Sequence, residues 1–592
     1  MYQAPLRELR FVLNELFDSQ AVLAPLYGDI GYSADLADNI LEEAAKFAEN
    51  VLEPLNASGD REGARWTPEG VVTPKGFREA YQAYVEAGWP QLAISTELGG
   101  QGMPQVLNTA FEELMFASNM AFFLGTSLAR GAVEAIAASA TEELKALFLP
   151  KLVTGEWMGT MNLTEPQSGS DLSLLRTRAV PHGNHYRLYG QKIFITYGEH
   201  DLSDNIVHLV LARLDGAPEG TKGISLFLVP KLLVNADGSP GARNDLRCIS
   251  IEHKLGIHAS PTCVMSFGEK EGAIGYLLGE PNAGLSYMFI MMNAARLSVG
   301  TQGVAQSERA WQRAREWART RLQGRVEGKP APVPIIEHPD VRRMLLSMKS
   351  RTEAMRALCA YAGLELDKGT RLADEAARKA ALARAELMIP IVKGWCTETG
   401  FDVASLGVQV HGGMGYVEET GAAQPLRDVR IASIYEGTTG IQSNDLVNRK
   451  LGRDRGAAMQ ALLRDLLTEL NALKALCPEA RVARNAATEA VTTLRDATEA
   501  LLQMHAERPQ LALAVSVPYL KLCGLVISGA LMARAASVAE AALTGNANDE
   551  FYRAKLLTCR FYAEQVLPEA LALARIVKGG AASVADAPAE LV

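Results

Sequence analysis

The chain has no CxxC pair, no unbroken apolar run of membrane length and no basic excess, and each absence removes a class of function. Its seven cysteines are odd in number and scattered, which points to free thiols in a reducing compartment and not to a disulfide frame or a zinc site. A net charge of -9 spread along the chain argues against a general nucleic-acid surface. The most apolar run, 511–537, is interrupted by Pro518 and Lys521, so the expectation there is a buried helix pair and no integral membrane segment. The first apolar region carries Arg7, Glu8, Arg10 and Glu15, unlike a signal peptide, and Ala589-Glu590-Leu591-Val592 is no peroxisomal address. A cytoplasmic location is the expectation.

What is present is a 592-residue, 48% apolar, 21% charged chain, the balance of a soluble globular protein with several structural units. Residues 1–35 predict a short helix and an irregular arm, an N-terminal extension. From 36 to 158 the spacing of Leu36, Ile40, Leu41, Ala44, Phe47 and Val51 predicts a helical domain. Short β-branched runs at 192–196, 205–211, 224–229 and 263–267 predict a middle antiparallel β domain over 159–283. Helix returns over 284–450. Beyond it, Met459, Leu462, Leu463, Leu466, Leu467 and Leu470 begin an additional helical bundle over 451–592, without a glycine loop, metal cluster or catalytic spacing of its own. The expected fold class is α+β, mostly α.

The stretch 406–442 carries the chemistry. It holds two glycine turns, Gly412-Gly413-Met414-Gly415 and Gly437-Thr438-Thr439-Gly440, around the basic run Arg427-Asp428-Val429-Arg430-Ile431. Glycines let a backbone approach a ligand, and N–H groups at a helix start favour anions. Either turn alone reads as an ordinary tight turn. Glu436, between Tyr435 and Gly437, has the surroundings of a general base in a partly dry pocket, or of a solvated glutamate at a helix start.

Ile434-Tyr435-Glu436-Gly437-Thr438-Thr439-Gly440-Ile441-Gln442, with Gln409-Val410-His411-Gly412-Gly413 upstream, resembles the C-terminal signature of the acyl-CoA dehydrogenases. The resemblance implies that family's fold: an N-terminal helical domain, a middle β domain and a C-terminal helical bundle, here with the appended bundle. It implies FAD as cofactor and no metal, with Glu436 as catalytic base. In the loop 161–171 it implies Met161, Leu163, Thr164, Gly169 and Ser170 as flavin contacts, joined by Phe194 and Thr196 from Gly190-Gln191-Lys192-Ile193-Phe194-Ile195-Thr196. Arg321 and Gln323, in Trp317-Ala318-Arg319-Thr320-Arg321-Leu322-Gln323-Gly324, are implied to reach the FAD of a neighbouring subunit, and Gln409, Gly413 and Thr438 complete the cofactor set. Ser170, Asn293, Arg296 and Gly437 are the implied substrate contacts.

Four positions depart from the family pattern. Phe194 stands where Trp is common, Tyr197 where Asn is, His258 where Arg is and Asn293 where Asp is. The amide of Asn293 still donates and accepts hydrogen bonds. The chain start, 192–213 and the extra bundle narrow the resemblance to a long bacterial subgroup whose implied substrates are 3-(methylthio)propanoyl-CoA or short- to long-chain fatty acyl-CoAs. The implied reaction is α,β-dehydrogenation to the trans-2-enoyl-CoA, with electrons passing to an electron-transfer flavoprotein. A homodimer without nucleic acid is expected, because the appended apolar stripes need a surface to cover. Three other readings stay open: an acyl-CoA oxidase using O2; a flavin-containing DNA-binding relative, whose basic face is missing among the interleaved Glu and Asp of 451–592; and a scaffolding paralogue without catalysis, against which the intact Glu436 stands.

Overall fold

The computed structural model describes residues 2–592. The chain forms two compact units: one comprises residues up to Glu43, Pro104–Ala117 and Val299–Val592, the other Ala44–Met103 and Ser118–Ser298.

The second unit combines helices with the β domain. Helix α1 (Gln105–Ser139) belongs to it from Ser118 onward and leaves helical geometry at Asn119, φ -155° and ψ 90°. There the Asn119 side chain accepts from the Phe122 N–H at 3.1 Å, restarting the helix as an N-cap does. Its eight-stranded sheet is built of β1 (Trp157–Asn162), β2 (Arg178–His182), β3 (His185–Thr196), β4 (Asn205–Leu214), β5 (Ile224–Pro230), β6 (Leu246–Ile251), β7 (Thr262–Phe267) and β8 (Ala273–Leu278). They lie in the order β6-β7-β3-β8-β5-β4-β1, with β2 paired to β3 and β4. Most pairs are antiparallel, but β1 and part of β2 run parallel to β4. The nearly unbroken apolar run of β4 has a physical reason: both of its faces are covered. Val207, Leu209 and Leu211 pack with Val133, Ile136 and Phe148 of the helices, whereas Val210 and Ala212 pack with Leu188, Ile195 and Phe267.

The first unit is helical. It takes α2 (Gly284–Thr320) from Val299 onward, then α3 (Pro339–Arg371), α4 (Glu375–His411) and the short α5 (Thr439–Asn444). The appended bundle is α6 (Ala457–Ala472), α7 (Pro478–Glu507), α8 (Ser516–Leu543), α9 (Glu550–Phe561) and α10 (Glu569–Gly579). In α6 the predicted stripe Met459, Leu462, Leu463, Leu466 and Leu470 is buried, with Leu467 half-buried at its edge. The run 511–537 is indeed two helices, but Pro518 is not the break. It sits in the first turn of α8, where proline forfeits no intrahelical bond, and the interruption falls at Val515 after the short helix Pro509–Ala514. By length and composition α1 and α8 could each cross a membrane; 67% and 83% of their most apolar windows are buried, as in the core helices of a folded domain.

Packing ties the bundle to α4. Gly524 of α8 accepts the Trp395 ring so closely that a Cβ there would lie 2.2 Å from Trp395 Cγ, and Leu520 fills the place opened by Gly394. Buried charge ties α1, α2 and α3 together within this unit: Arg356 of α3 pairs with Glu113 at 2.7 Å and Glu308 at 2.6 Å, all three almost wholly buried. The N-terminal extension is more ordered than the predicted arm. Phe11 meets Phe551 of α9 edge to face at 5.5 Å, and Glu8 bridges Lys349 of α3 at 2.9 Å and Lys555 of α9 at 2.5 Å.

Replacing Gly524 with Val forces Trp395 to move. Overpacking of this kind costs about 1–3 kcal/mol, so Gly524→Val is expected to lower the thermal midpoint clearly. Gly579→Ala, where a Cβ meets nothing within 4 Å, serves as the control that leaves it in place.

Candidate active site

In the first unit the centre of interest is the turn before α5. Glu436 is half-buried and has φ 54°, the left-handed region that costs a residue with a Cβ about 1–2 kcal/mol. Gly437 follows at φ 90°, and a Cβ there would also sit 2.7 Å from Gln442 Nε2, so this position needs glycine twice over. The Gln442 amide holds the turn from inside α5, donating to the Glu436 carbonyl at 3.0 Å and the Gly437 carbonyl at 3.3 Å. Thr438 is the N-cap of α5, its hydroxyl accepting from the Ile441 N–H, and Thr439 donates to Glu398 of α4 at 2.6 Å. On the other side of Glu436 the Tyr435 hydroxyl donates to Gln302 of α2. Burial pushes the Tyr435 phenol well above its ordinary pKa, and the charge of Glu436 adds to the effect.

A second surface of this unit lies at the end of α4. Gly412, φ 61°, stops the helix, and at Gly412 and Gly413 a Cβ would meet nothing within 4 Å, so the backbone lies open to a ligand. Gly415 is a packing glycine instead, tight against the Val408 carbonyl. Gln409 is exposed in the last turn of α4. Arg321 and Gln323 are exposed just past α2, the guanidinium donating to the Gln323 amide oxygen at 3.1 Å.

In the second unit the loop after β1 is bound to β3. Met161 is buried at the end of β1, Leu163 and Thr164 are half-buried, and Gly169 and Ser170 are exposed. The Ile193 N–H donates to the Thr164 carbonyl at 2.9 Å, and Lys192 donates to the Leu163 carbonyl at 3.0 Å and to Glu165 at 2.8 Å. Glu165 also accepts from the Arg176 N–H, the Thr177 N–H and the Thr177 hydroxyl. On β3, Phe194 is 58% exposed at φ 61°, and Thr196 pairs with Thr262 at the strand end. Asn293, half-buried, and Arg296, buried, lie one turn apart on the early part of α2. The sequence-derived residues therefore fall into groups: Glu436, Gly437 and Thr438; Gln409 and Gly413; Arg321 and Gln323; and, in the second unit, the loop after β1 with β3, and Asn293 with Arg296.

Four family models match successive parts of the chain: acyl-CoA dehydrogenase N-terminal domain at 35–156, middle domain at 160–269 and C-terminal domain at 282–451, and acetyl-CoA dehydrogenase C-terminal like at 458–588. A 3-methylmercaptopropionyl-CoA dehydrogenase of Ruegeria pomeroyi is 47% identical over 573 residues, 96% of each chain. The chain belongs to the acyl-CoA dehydrogenase family. It is an oxidoreductase of that family, similar also to the broad-specificity linear acyl-CoA dehydrogenase FadE5 of Mycobacterium tuberculosis, 34% identical over 589 residues and 96% of each chain. An acyl-CoA dehydrogenase of Bacillus anthracis, solved with FAD, shares the fold with a TM-score of 0.74 at 22% identity, covering 92% of this chain and 88% of the other.

Two departures from the acyl-CoA dehydrogenase pattern have local explanations. Tyr197 is buried, donates its hydroxyl to the Ala121 carbonyl at 2.8 Å and lies so close to Gly125 that a Cβ there would be 2.7 Å from its ring. It is a packing residue against α1. His258 lies beside an acid, its Nδ1 3.1 Å from Asp60 Oδ1, a pair that is ionic when the imidazole is protonated. The pair that sequence reasoning missed is Glu165–Lys192. Both residues lie inside the quoted motifs, but nothing in a separation of 27 positions announces that they meet.

Glu165 is 3% and Lys192 0% exposed. Burial alone would raise the Glu165 pKa, but the charge and hydrogen bond of Lys192 hold it at about 2. Burial draws Lys192 down to about 8 against the pull of Glu165, so the pair is ionised between those limits. Removing one partner of such a pair leaves an uncompensated buried charge and costs about 3–5 kcal/mol, the loss expected for Lys192→Met in chemical denaturation. Because the Glu165 pKa is depressed from 4.5, its contribution is complete above that value and is lost as pH falls towards 2. The wild-type advantage over Lys192→Met should shrink across that window.

Proposed function

We propose that this acyl-CoA dehydrogenase takes 3-(methylthio)propanoyl-CoA, or a straight-chain acyl-CoA of short to long chain, to the trans-2-enoyl-CoA, with FAD as its cofactor and an electron-transfer flavoprotein as its electron acceptor. The 47% identity to a 3-methylmercaptopropionyl-CoA dehydrogenase supports the sulfur-bearing substrate, and the likeness to FadE5 supports linear chains. The observation that carries the reaction is Glu436, a half-buried carboxylate held in a left-handed turn by a dedicated amide clamp.

The residues present fit FAD. Open backbone at Gly412–Gly413, with Gln409 nearby in sequence, suits a diphosphate ester, and Arg321 supplies a planar charged donor for one. In the second unit Thr164, Ser170 and Thr196 offer hydroxyls, Met161, Leu163 and Gly169 line the same loop, and Phe194 presents an exposed aromatic face. When bound, FAD supplies the hydride acceptor.

Glu436 takes the proton from the carbon beside the thioester. That proton is removable when the thioester oxygen receives hydrogen bonds in a site poor in water, and the Glu436 N–H is the chain's donor to it. Asn293, Arg296, Ser170 and Gly437 hold the acyl-CoA. The protein works as a cytoplasmic homodimer in which Arg321 serves the FAD of the partner subunit, and the appended bundle covers the face through which a second dimer would pack.

Anaerobic titration of the yellow protein with a panel of acyl-CoAs, read as flavin bleaching, is expected to rank the methylthio or linear substrates first. Glu436→Gln should retain FAD and acyl-CoA binding and lose at least about a hundredfold in turnover; normal turnover would move the base to another carboxylate. Arg321→Ala should release flavin on gel filtration while acyl-CoA affinity changes less, and full flavin retention would count against its role.

A further inference from the structure

We infer that Lys393, a buried lysine on α4, is a positioning residue for Glu436, fixing the turn that aims the carboxylate at the substrate; the inference rests on Glu436 being the base. Lys393 is 0% exposed, in a stretch of α4 whose residues Leu387 to Thr397 are all buried. An ammonium in such surroundings costs several kcal/mol unless its partners compensate it, and packing alone would be served by Leu or Met. Its ammonium donates to the Gly437 carbonyl at 2.5 Å. That carbonyl belongs to the residue directly after the base.

The Glu436 carbonyl is held by Gln442 at 3.0 Å, and the Gly437 carbonyl by Gln442 at 3.3 Å and by Lys393. Both peptide planes that follow Glu436 are therefore fixed from outside. Backbone dihedrals set the direction of the Cα–Cβ bond, so the clamp that keeps Glu436 at φ 54° also sets where its carboxylate begins. A charged donor makes the stronger hydrogen bond of the two kinds in the clamp. Gln442 comes from the same turn of chain, whereas Lys393 reaches across from α4 and ties the turn to the packed helices of the unit.

The test reads proton removal directly. Holoenzyme whose flavin has first been reduced with dithionite is incubated with an acyl-CoA in D2O, and deuterium entering beside the thioester is followed by mass spectrometry. Lys393→Met, similar in length and uncharged, is expected to slow this exchange by at least about tenfold, with FAD content and KM within about twofold of wild type. Glu436→Gln is expected to abolish it. Wild-type exchange in Lys393→Met alongside an inactive Glu436→Gln overturns the role of Lys393 and leaves the base in place. Exchange persisting in Glu436→Gln overturns the base itself, and the inference with it. A Lys393→Met loss that appears wholly in KM or FAD content also overturns the positioning role. If Lys393→Met does not accumulate as folded protein, Lys393→Gln, which keeps a donor but no charge, is read by the same outcomes.

Discussion

A glutamate with left-handed backbone geometry must be held there, and much of the first unit can be understood from that requirement. Glycine after it, an amide on the next helix and a threonine cap are not separate motifs but parts of one clamp. The strain is stored where the chemistry is, and surrounding order has to over-determine it. A free loop would relax. Here the turn is anchored through Thr439 to Glu398 and through Tyr435 to Gln302, so two long helices set the position of one carboxylate.

The parts of this architecture legible in the sequence are those in which cause and effect are local. The glycines on either side of 436 sit within one short stretch, and β4 shows its two-sided burial as a run without polar alternation. The contacts that escaped reading are separated in the chain: 27 positions for Glu165–Lys192, 44 for Lys393 and Gly437, 133 for Gln302 and Tyr435. A charged residue inside an apolar run looks like a helix face turned to solvent until its partner is known. Pro518 misled for a related reason, since proline breaks a helix only in its interior and the chain alone does not say where the first turn lies.

The appended bundle makes most sense as a partner for α4. Trp395 seats against Gly524 and Leu520 against Gly394, large against small in both directions. The same helix carries Glu398, Gln409 and the glycines that end it, so the bundle reinforces the helix on which several site residues depend. The N-terminal extension completes this, because Glu8 bonds α3 and α9 together.

The buried bond between Glu165 and Lys192 also closes a loop of chain whose far tip is free to change. Its ends are fixed, while the hairpin joining β2 to β3 turns at Gly183, exposed and with open space where a side chain would be. Exposed turns of this kind are where insertions are best tolerated. A peptide tag, a fluorophore site or a whole reporter domain spliced there would hang from a closed loop whose base is already locked, giving an engineering handle in mid-chain that leaves both termini untouched.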